Sequence, residues 1–336
     1  MPDPLDLLVI GECVADIVRL PGGNVHVHPG GSPANVAHGL ARLGHAVTLL
    51  TQLGPDDHGR LIRSRLAEAG VEVRTDGSAA PTPSAVVTLD REGRAAYAFE
   101  IAWTLAPVAP DRTPHHVHTG SIAAVTDPGA ATVLAAVESL RPSATVSYDP
   151  NVRPALMGDH DAAVRRVEHC VALSDVVRAS DEDLEWLYPG EEPETVARRW
   201  LGRGPAAVLV TRGGDGALAV LPGGRVTADA FATEVVDTVG AGDAFMSGTL
   251  HALAAHGLLG PDGRERLRTA DRSTVADVLR HAAACAAVTV ARAGANPPDA
   301  AELRAALARD RSRRGGRVNA SPAHGPDGRT VTRSGH

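Results

Sequence analysis

What most limits the architecture of this chain is a rhythm: short strand-like runs separated by segments of helical length. Leu7-Leu8-Val9-Ile10 is the first such run, closed by Gly11-Glu12, and Ala46–Thr51, 116–121, Thr145–Asp149, 175–179 and 206–211 follow it. Between the first two, Val36, Leu40 and Leu43 recur at i, i+4 and i+7 behind Ser32-Pro33, a capping serine and a proline suited to a first helical turn. Ile62, Leu66 and Ala69 mark another helix, and Gly129–Leu140, 161–173 and 195–201 read as further ones. Parallel strands need long crossovers, so this alternation predicts an α/β fold with a largely parallel sheet flanked by helices on both faces. Ligands of such sheets gather at the carboxyl ends of the strands.

Two stretches, 13–28 and 85–101, break the rhythm with strand-like or turn-rich patterns that lack crossover helices, and they are expected to pair as a small antiparallel β lid. Three of the chain's nine Phe, Tyr and Trp residues, Tyr97, Phe99 and Trp103, fall in or just after the second stretch. There they either exclude water from a closed site or pack a sheet edge. The expected organisation is one domain over 1–310, with lid segments inserted at 12–30 and 85–106 and a last helix over 299–308. The Arg-, Gly-, Ser- and Pro-containing tail 311–336 has no apolar periodicity and reads as disordered.

Composition narrows the chemistry. A chain of 336 residues, 43% hydrophobic, can bury a large core. Its net charge of −7 provides no basic footprint for nucleic acid, which leaves a small molecule as the expected partner. The chain contains no lysine, so all 33 basic residues are arginine. That excludes a P-loop lysine, a Schiff base and a lysine general base, and any phosphate must be held by amides, arginine or metal. Cys13, Cys170 and Cys285 are widely spaced and odd in number, which points to neither a disulfide framework nor a zinc site and suits a reducing cytoplasm. With neither a signal-like start nor a membrane-length apolar run, the protein is expected to be neither exported nor membrane-bound. His26 and His28, and likewise His115, His116 and His118, lack companions at a metal-ligand spacing.

The most informative run is Asp237-Thr238-Val239-Gly240-Ala241-Gly242-Asp243, which leads into a helical stripe of Met246, Leu250 and Leu253. Small residues and a carboxylate at a helix start suit an anion cradle with a base inside it, because free amides and the helix dipole favour negative charge there. Taken alone, the same residues are equally served by a capping role for Asp243.

Two further motifs, Gly30-Gly31-Ser32-Pro33-Ala34-Asn35 and Asp149-Pro150-Asn151-Val152-Arg153, stand in order with this run, with Gly11-Glu12 and with Val14-Ala15-Asp16. Together, over residues 5–309, they resemble the ribokinase-like (PfkB) sugar kinases, especially the fructokinase branch, with Val239 where Thr or Ile is usual. The resemblance implies ATP-dependent transfer of the γ-phosphoryl group to a sugar hydroxyl. Asp243 would be the general base, and the amides after Gly240, those of Ala241, Gly242 and Asp243, would form the anion hole. Asp16, Gly31 and Asn35 would bind the sugar, with Asn151 and Arg153 between sugar and phosphate. ATP would lie along Thr211, Gly213, Gly216 and Gly242, and its adenine near 284–288 and Asn296. In Ser180-Asp181-Glu182-Asp183 the family usually has Asn-x-x-Glu, so Asp183 would meet Mg2+ through water. Asp237 corresponds to a monovalent cation site, which would take K+.

Fructose is the acceptor that the resemblance favours, against 2-keto-3-deoxygluconate, ribose and other ketoses or sugar acids. A nucleoside kinase of the same fold and a non-catalytic sugar-binding relative are the other readings. The lid implies a possible homodimer.

Overall fold

The computed structural model describes residues 5–19, 24–89 and 95–318. Its strands are β1 (Asp6–Ile10), β2 (Val14–Arg19), β3 (Val25–Gly30), β4 (Ala46–Thr51), β5 (Val71–Thr75), β6 (Ser84–Leu89), β7 (Ala95–Glu100), β8 (His116–Gly120), β9 (Thr145–Asp149), β10 (Val176–Ser180), β11 (Ala207–Thr211), β12 (Ala217–Leu221) and β13 (Gly224–Ala228). Its helices are α1 (Ser32–Arg42), α2 (Asp57–Glu68), α3 (Gly129–Leu140), α4 (Pro154–Met157), α5 (His160–Leu173), α6 (Asp181–Leu187), α7 (Pro193–Leu201), α8 (Ala241–Ala255), α9 (Gly263–Arg268), α10 (Arg272–Val290) and α11 (Ala300–Val318).

Nine strands form the main sheet in the order β13-β12-β11-β10-β9-β8-β1-β4-β5. From β11 to β5 every pairing is parallel, as in Val9↔Leu49 and Val9↔His118. Helices cover both faces, so β1, β4 and β11 are largely apolar runs, while β8 and β9 carry buried polar side chains such as His116, His118 and Ser147. One core cluster joins Leu7, Val9, Leu209 and Met246, while a second, with Val177, Val208 and Trp200, lies under α5 and α7. The antiparallel hairpin β12–β13 at the edge was not anticipated. Only the glycine-rich turn 212–216, with Gly216 at φ +81, separates β11 from β12, too short for a crossover.

The second sheet has the order β3-β2-β6-β7. The two expected lid stretches do pair, but the strands that join them, β2 and β6, run parallel, so the lid is mixed rather than antiparallel. The reason is the chain between them: β3, α1, β4, α2 and β5 intervene and return it in the same direction. Side chains alternate across this sheet. Ala15, Ile17 and Val86 join the main core, and Asp16, Ala85 and Phe99 face the other way.

Trp103 corrects the lid reading: it is 1% exposed, packs with Leu105 in the core beneath α3, and donates its indole N–H to the Ala123 carbonyl. The Tyr97 side chain lies outside the described residues. The last helix is also longer than the periodicity suggests. It continues to Val318, through the beginning of the stretch expected to be disordered, because the arginines there are good helix formers. The rest of that tail, 319–336, lies outside the described residues.

Close packing fixes α8 against its neighbours. A Cβ on Gly248 would lie 2.9 Å from the Ala282 Cα and the Cys285 Sγ of α10, and one on Gly39 of α1 would lie 2.5 Å from the Ser247 Oγ of α8. Glycine at these two places lets three helices approach closely. Among the described residues no helix is long and apolar enough to cross a membrane.

Candidate active site

A cleft of about 1030 Å³ lies between the outward face of the lid, the carboxyl ends of β9, β10 and β11, and the start of α8. This is where a parallel sheet presents its ligand-binding loops. Asp16, Gly31, Asn35, Asn151, Arg153, Asp183, Thr211, Gly213, Gly216, Gly240, Ala241, Gly242 and Asp243 all line it, although they come from segments more than 200 residues apart.

Asp243 lies in the first turn of α8, 9% exposed. Its Oδ1 accepts a 2.6 Å bond from the Ser32 hydroxyl and its Oδ2 a 2.8 Å bond from the Asn35 amide, both at the start of α1. Burial pushes its pKa up, partly offset by these two hydrogen bonds. A carboxylate so held is oriented, and its burial makes it a stronger base than an exposed aspartate. Gly240 supplies the left-handed N-cap of α8, at φ +75. The expected trio of cradle amides reduces to two: the Ala241 N–H donates to the Thr238 carbonyl at 3.2 Å, while those of Gly242 and Asp243 have no protein acceptor among the described residues.

Arg178 forms the floor of the cradle, and sequence reasoning missed it. Its guanidinium would lie 2.7–3.0 Å from a Cβ on Gly242. It donates to Asp149 Oδ2 at 3.0 Å and to the Thr211 hydroxyl, and its Nε–H is buried without a partner. The Asp149, Asp183 and Asp243 carboxylates all act on it. An arginine that interrupts the buried run Val-Val-Arg-Ala-Ser was the available signal, since an arginine is seldom buried without a partner. Ser32 was expected to cap α1, but Gly31 is the N-cap with no side-chain capping bond, because the Ser32 hydroxyl is given to Asp243 instead.

On the lid side, Asp16 faces the cleft from β2, packed so tightly on Gly30 that a Cβ there would lie 2.1 Å from its Oδ2. Burial raises its pKa to about 6 despite the nearby His28 and Arg153. Gly31, at φ +100, lies against the Glu12 carbonyl. Ser121 and Asn151 line the same wall and hold left-handed backbone at φ 55 and φ 35. Each costs about 1 kcal/mol for a residue other than glycine. Beneath them Glu12 is 2% exposed, and burial raises its pKa to about 7.

A description of the pfkB family carbohydrate kinases matches residues 5–301. The chain belongs to this family. The kinase is 35% identical over 261 residues to the fructokinase of Klebsiella pneumoniae, a match covering 74% of this chain and 85% of the relative. Its fold matches a double mutant of Vibrio cholerae O395 fructokinase in its fructose-, ADP- and potassium-bound form, with a TM-score of 0.77, 26% identity, and 90% of this chain and 98% of the other covered. Salmonella enterica aminoimidazole riboside kinase, complexed with aminoimidazole riboside and an ATP analogue, matches with a TM-score of 0.73 and 26% identity over 90% and 99% of the two chains. The fold is therefore ribokinase-like, and the chain is an ATP-dependent sugar kinase.

In this kinase the far half of the cleft is lined by Phe231, Ala232, Thr233, Val235, Ala283, Ala286, Ala287 and Val290, an apolar slot from the 229–235 segment and α10. The expectation for 284–288 is met only in part: Ala284 is fully buried, and Val288 faces a separate groove behind the 229–233 segment. Asn296 does not line the cleft. Its segment is turned away because Ala295 packs on Gly240 and Pro297 lies against Gly39. Asp183 lines the cleft, but its carboxylate is engaged: Oδ1 accepts from the Val152 amide and Oδ2 from the Ser180 amide, each at 2.8 Å. The Ser180–Asp183 pair is a capping box for α6. Asp237 is absent from the lining. It accepts from the Val239 and Gly294 amides at 3.0 and 2.8 Å, and these bonds hold its pKa down and tie the cradle loop to the end of α10.

Proposed function

We propose that this kinase phosphorylates free fructose. The observation that carries the reading is the pairing of Asp243 with Ser32 and Asn35 across from Asp16, which aims a proton acceptor at the space between the sugar wall and the amide cradle. The fructokinase relatives, and the neighbour holding fructose and ADP, support fructose as the acceptor. Asp16, Gly31 and Asn35 hold the sugar, with Asn151 and Arg153 beside the transferring group. Asp243 takes the hydroxyl proton as the sugar oxygen bonds to the γ-phosphorus and the bond to the bridging oxygen of ADP breaks. The Gly242 and Asp243 amides, with Arg178 beneath them, receive the charge that gathers on the phosphoryl oxygens. Thr211, Gly213 and Gly216 accompany the phosphates, and the apolar slot beside α10 takes the adenine.

The residues present fit magnesium held through water. Each oxygen of Asp183 already accepts one backbone amide, which leaves lone pairs for water-mediated contact and disfavours direct ligation. Bound there, the ion would neutralise charge on the ATP phosphates. Asp237 and the adjoining 292–294 backbone suit a potassium ion, supported by the potassium-bound neighbour. Three buried free thiols suit a cytoplasmic enzyme, and the outward lid face suits a homodimer.

The riboside kinase neighbour favours a second reading, a riboside acceptor, but the greater identity to fructokinase outweighs it. Coupled ADP release measured with fructose, ribose, 2-keto-3-deoxygluconate and adenosine separates the two. Fructose should have the highest kcat/KM, and turnover confined to another member of the panel would refute the proposal.

A further inference from the structure

The Gly11-Glu12 motif marks the end of β1, yet the transfer chemistry above makes no use of the glutamate. Glu12 is buried where the cleft wall meets the end of β1, at the lining itself, and its contacts are specific. Its Oε2 accepts the Ala123 amide at 3.2 Å, and the Ser121 hydroxyl donates to its carboxylate. Ser121 Oγ in turn accepts from Asn151 Nδ2 at 3.3 Å, and the Asn151 amide donates to Asp149 Oδ1 at 3.0 Å. Glu12, Ser121 and Asn151 all line the cleft, and Ser121 and Asn151 are the only described residues other than glycine with positive φ. Unfavourable backbone of this kind persists only where surrounding contacts over-determine it. Glu12 supplies those contacts at Ser121 directly and at Asn151 through one hydroxyl, and its own carbonyl meets the space beside Gly31.

We propose that Glu12 is a positioning residue of the acceptor site: its carboxyl pins the Ser121–Ala123 turn and, through the Ser121 hydroxyl, holds Asn151 in the conformation that presents it to the sugar. The inference rests on reading this end of the cleft as the acceptor side. It makes Glu12 a determinant of acceptor affinity without contact to ATP, whose apolar slot lies at the other end against α10.

The test compares the full-length wild type with Glu12→Ala and Glu12→Gln by steady-state kinetics and by hydrogen exchange of the unliganded proteins. Glu12→Ala should raise the KM for fructose about tenfold, the scale of a lost hydrogen-bonded anchor, and leave the KM for ATP within about twofold. Glu12→Gln, which keeps one acceptor for the Ala123 amide, should fall between. Amide exchange over 121–124 and 150–153 should quicken in both variants while α10 is unchanged. A rise in both KM values together, or unaltered exchange at 150–153, overturns the proposal. Should Glu12→Ala fail to fold, the glutamine variant decides by the same two readouts. Wild type inactive on every sugar would defeat the acceptor reading alone, because the exchange comparison still tests the pin.

Discussion

Gly242→Ala makes the most demanding use of the cradle geometry. Gly242 lies inside α8 with no positive φ, so its backbone accepts alanine, and the exchange should stabilise the helix by about 1 kcal/mol. The obstacle is Arg178: the new methyl would lie 2.7 Å from its Nη1, 2.9 Å from its Nη2 and 3.0 Å from its Cζ. Relief requires the guanidinium to retreat by roughly half an ångström or more, which stretches its 3.0 Å bond to Asp149 beyond hydrogen-bonding length. A hydrogen bond to a charged group contributes about 1.5–3 kcal/mol, and the Thr211 bond is at risk with it. After the helical gain, about 1–3 kcal/mol of stability should be lost. Because the displaced charge also faces the transferring phosphoryl group, kcat should drop by about 10²-fold, comparable to losing one anion-hole donor. The decisive assay is a double-mutant cycle with Arg178→Lys, whose slimmer ammonium leaves room for the methyl. Gly242→Ala should cost far less in that background, a coupling of about 1 kcal/mol or more in both urea unfolding and kcat. Equal penalties in the two backgrounds would refute Arg178 as the obstacle, and full activity of the single variant would refute the cradle.

Asp243→Asn should lower kcat about 10²- to 10⁴-fold with a smaller change in fructose KM, since it removes the base and leaves an amide that cannot accept from both Ser32 and Asn35; near-normal turnover at saturating fructose contradicts the assignment. Glu12 gives a pH signature. Its folded-state pKa of about 7 lies above the ordinary 4.5, so the stability it contributes is full below pH 4.5 and is lost as pH rises through 7, on the order of 3 kcal/mol. Glu12→Gln should therefore gain on wild type in urea unfolding between pH 5 and pH 8, and parallel curves would show that Glu12 titrates normally. Gly248→Ala should destabilise by about 1–3 kcal/mol in thermal melts through overpacking against Ala282 and Cys285; an unchanged midpoint would mean that α8 and α10 separate freely.

The central sheet was legible because burial on both faces makes strands such as β1 and β11 short apolar runs, and parallel pairing forces a helix between neighbours even where, as in β8 and β9, polar residues interrupt them. The hairpin β12–β13 follows neither rule, and the parallel pairing of β2 with β6 depends on how the five elements between them, β3, α1, β4, α2 and β5, bring the chain back. In the site, residues whose backbone makes the function could be read locally, such as Gly240 before the helix. Side-chain partners could not. The bonds from Ser32 and Asn35 to Asp243 span 211 and 208 residues, and nothing near Arg178 in sequence announces that its charge lies under Gly242. Asn296 resembles a binding position by its place along the chain, whereas packing of its neighbours on Gly240 and Gly39 leaves it out of the cleft lining.

The two bare contacts at Gly39 and Gly248 have a consequence for how such an enzyme can be altered. They bolt α1, which presents Asn35 and Ser32, to α8, which presents Asp243, and α8 in turn to α10 beside the nucleotide slot. The angle between the helices is thus set by the bare backbone of Gly39 and Gly248 against Ser247, Ala282 and Cys285, with no side chain on the glycine side to give way. A change of substrate is better written on the lid strands, whose Asp16, Ala85 and Phe99 line the cleft without belonging to that helical frame. The helical triad works as a fixed jig, and the small sheet as the exchangeable tool held in it.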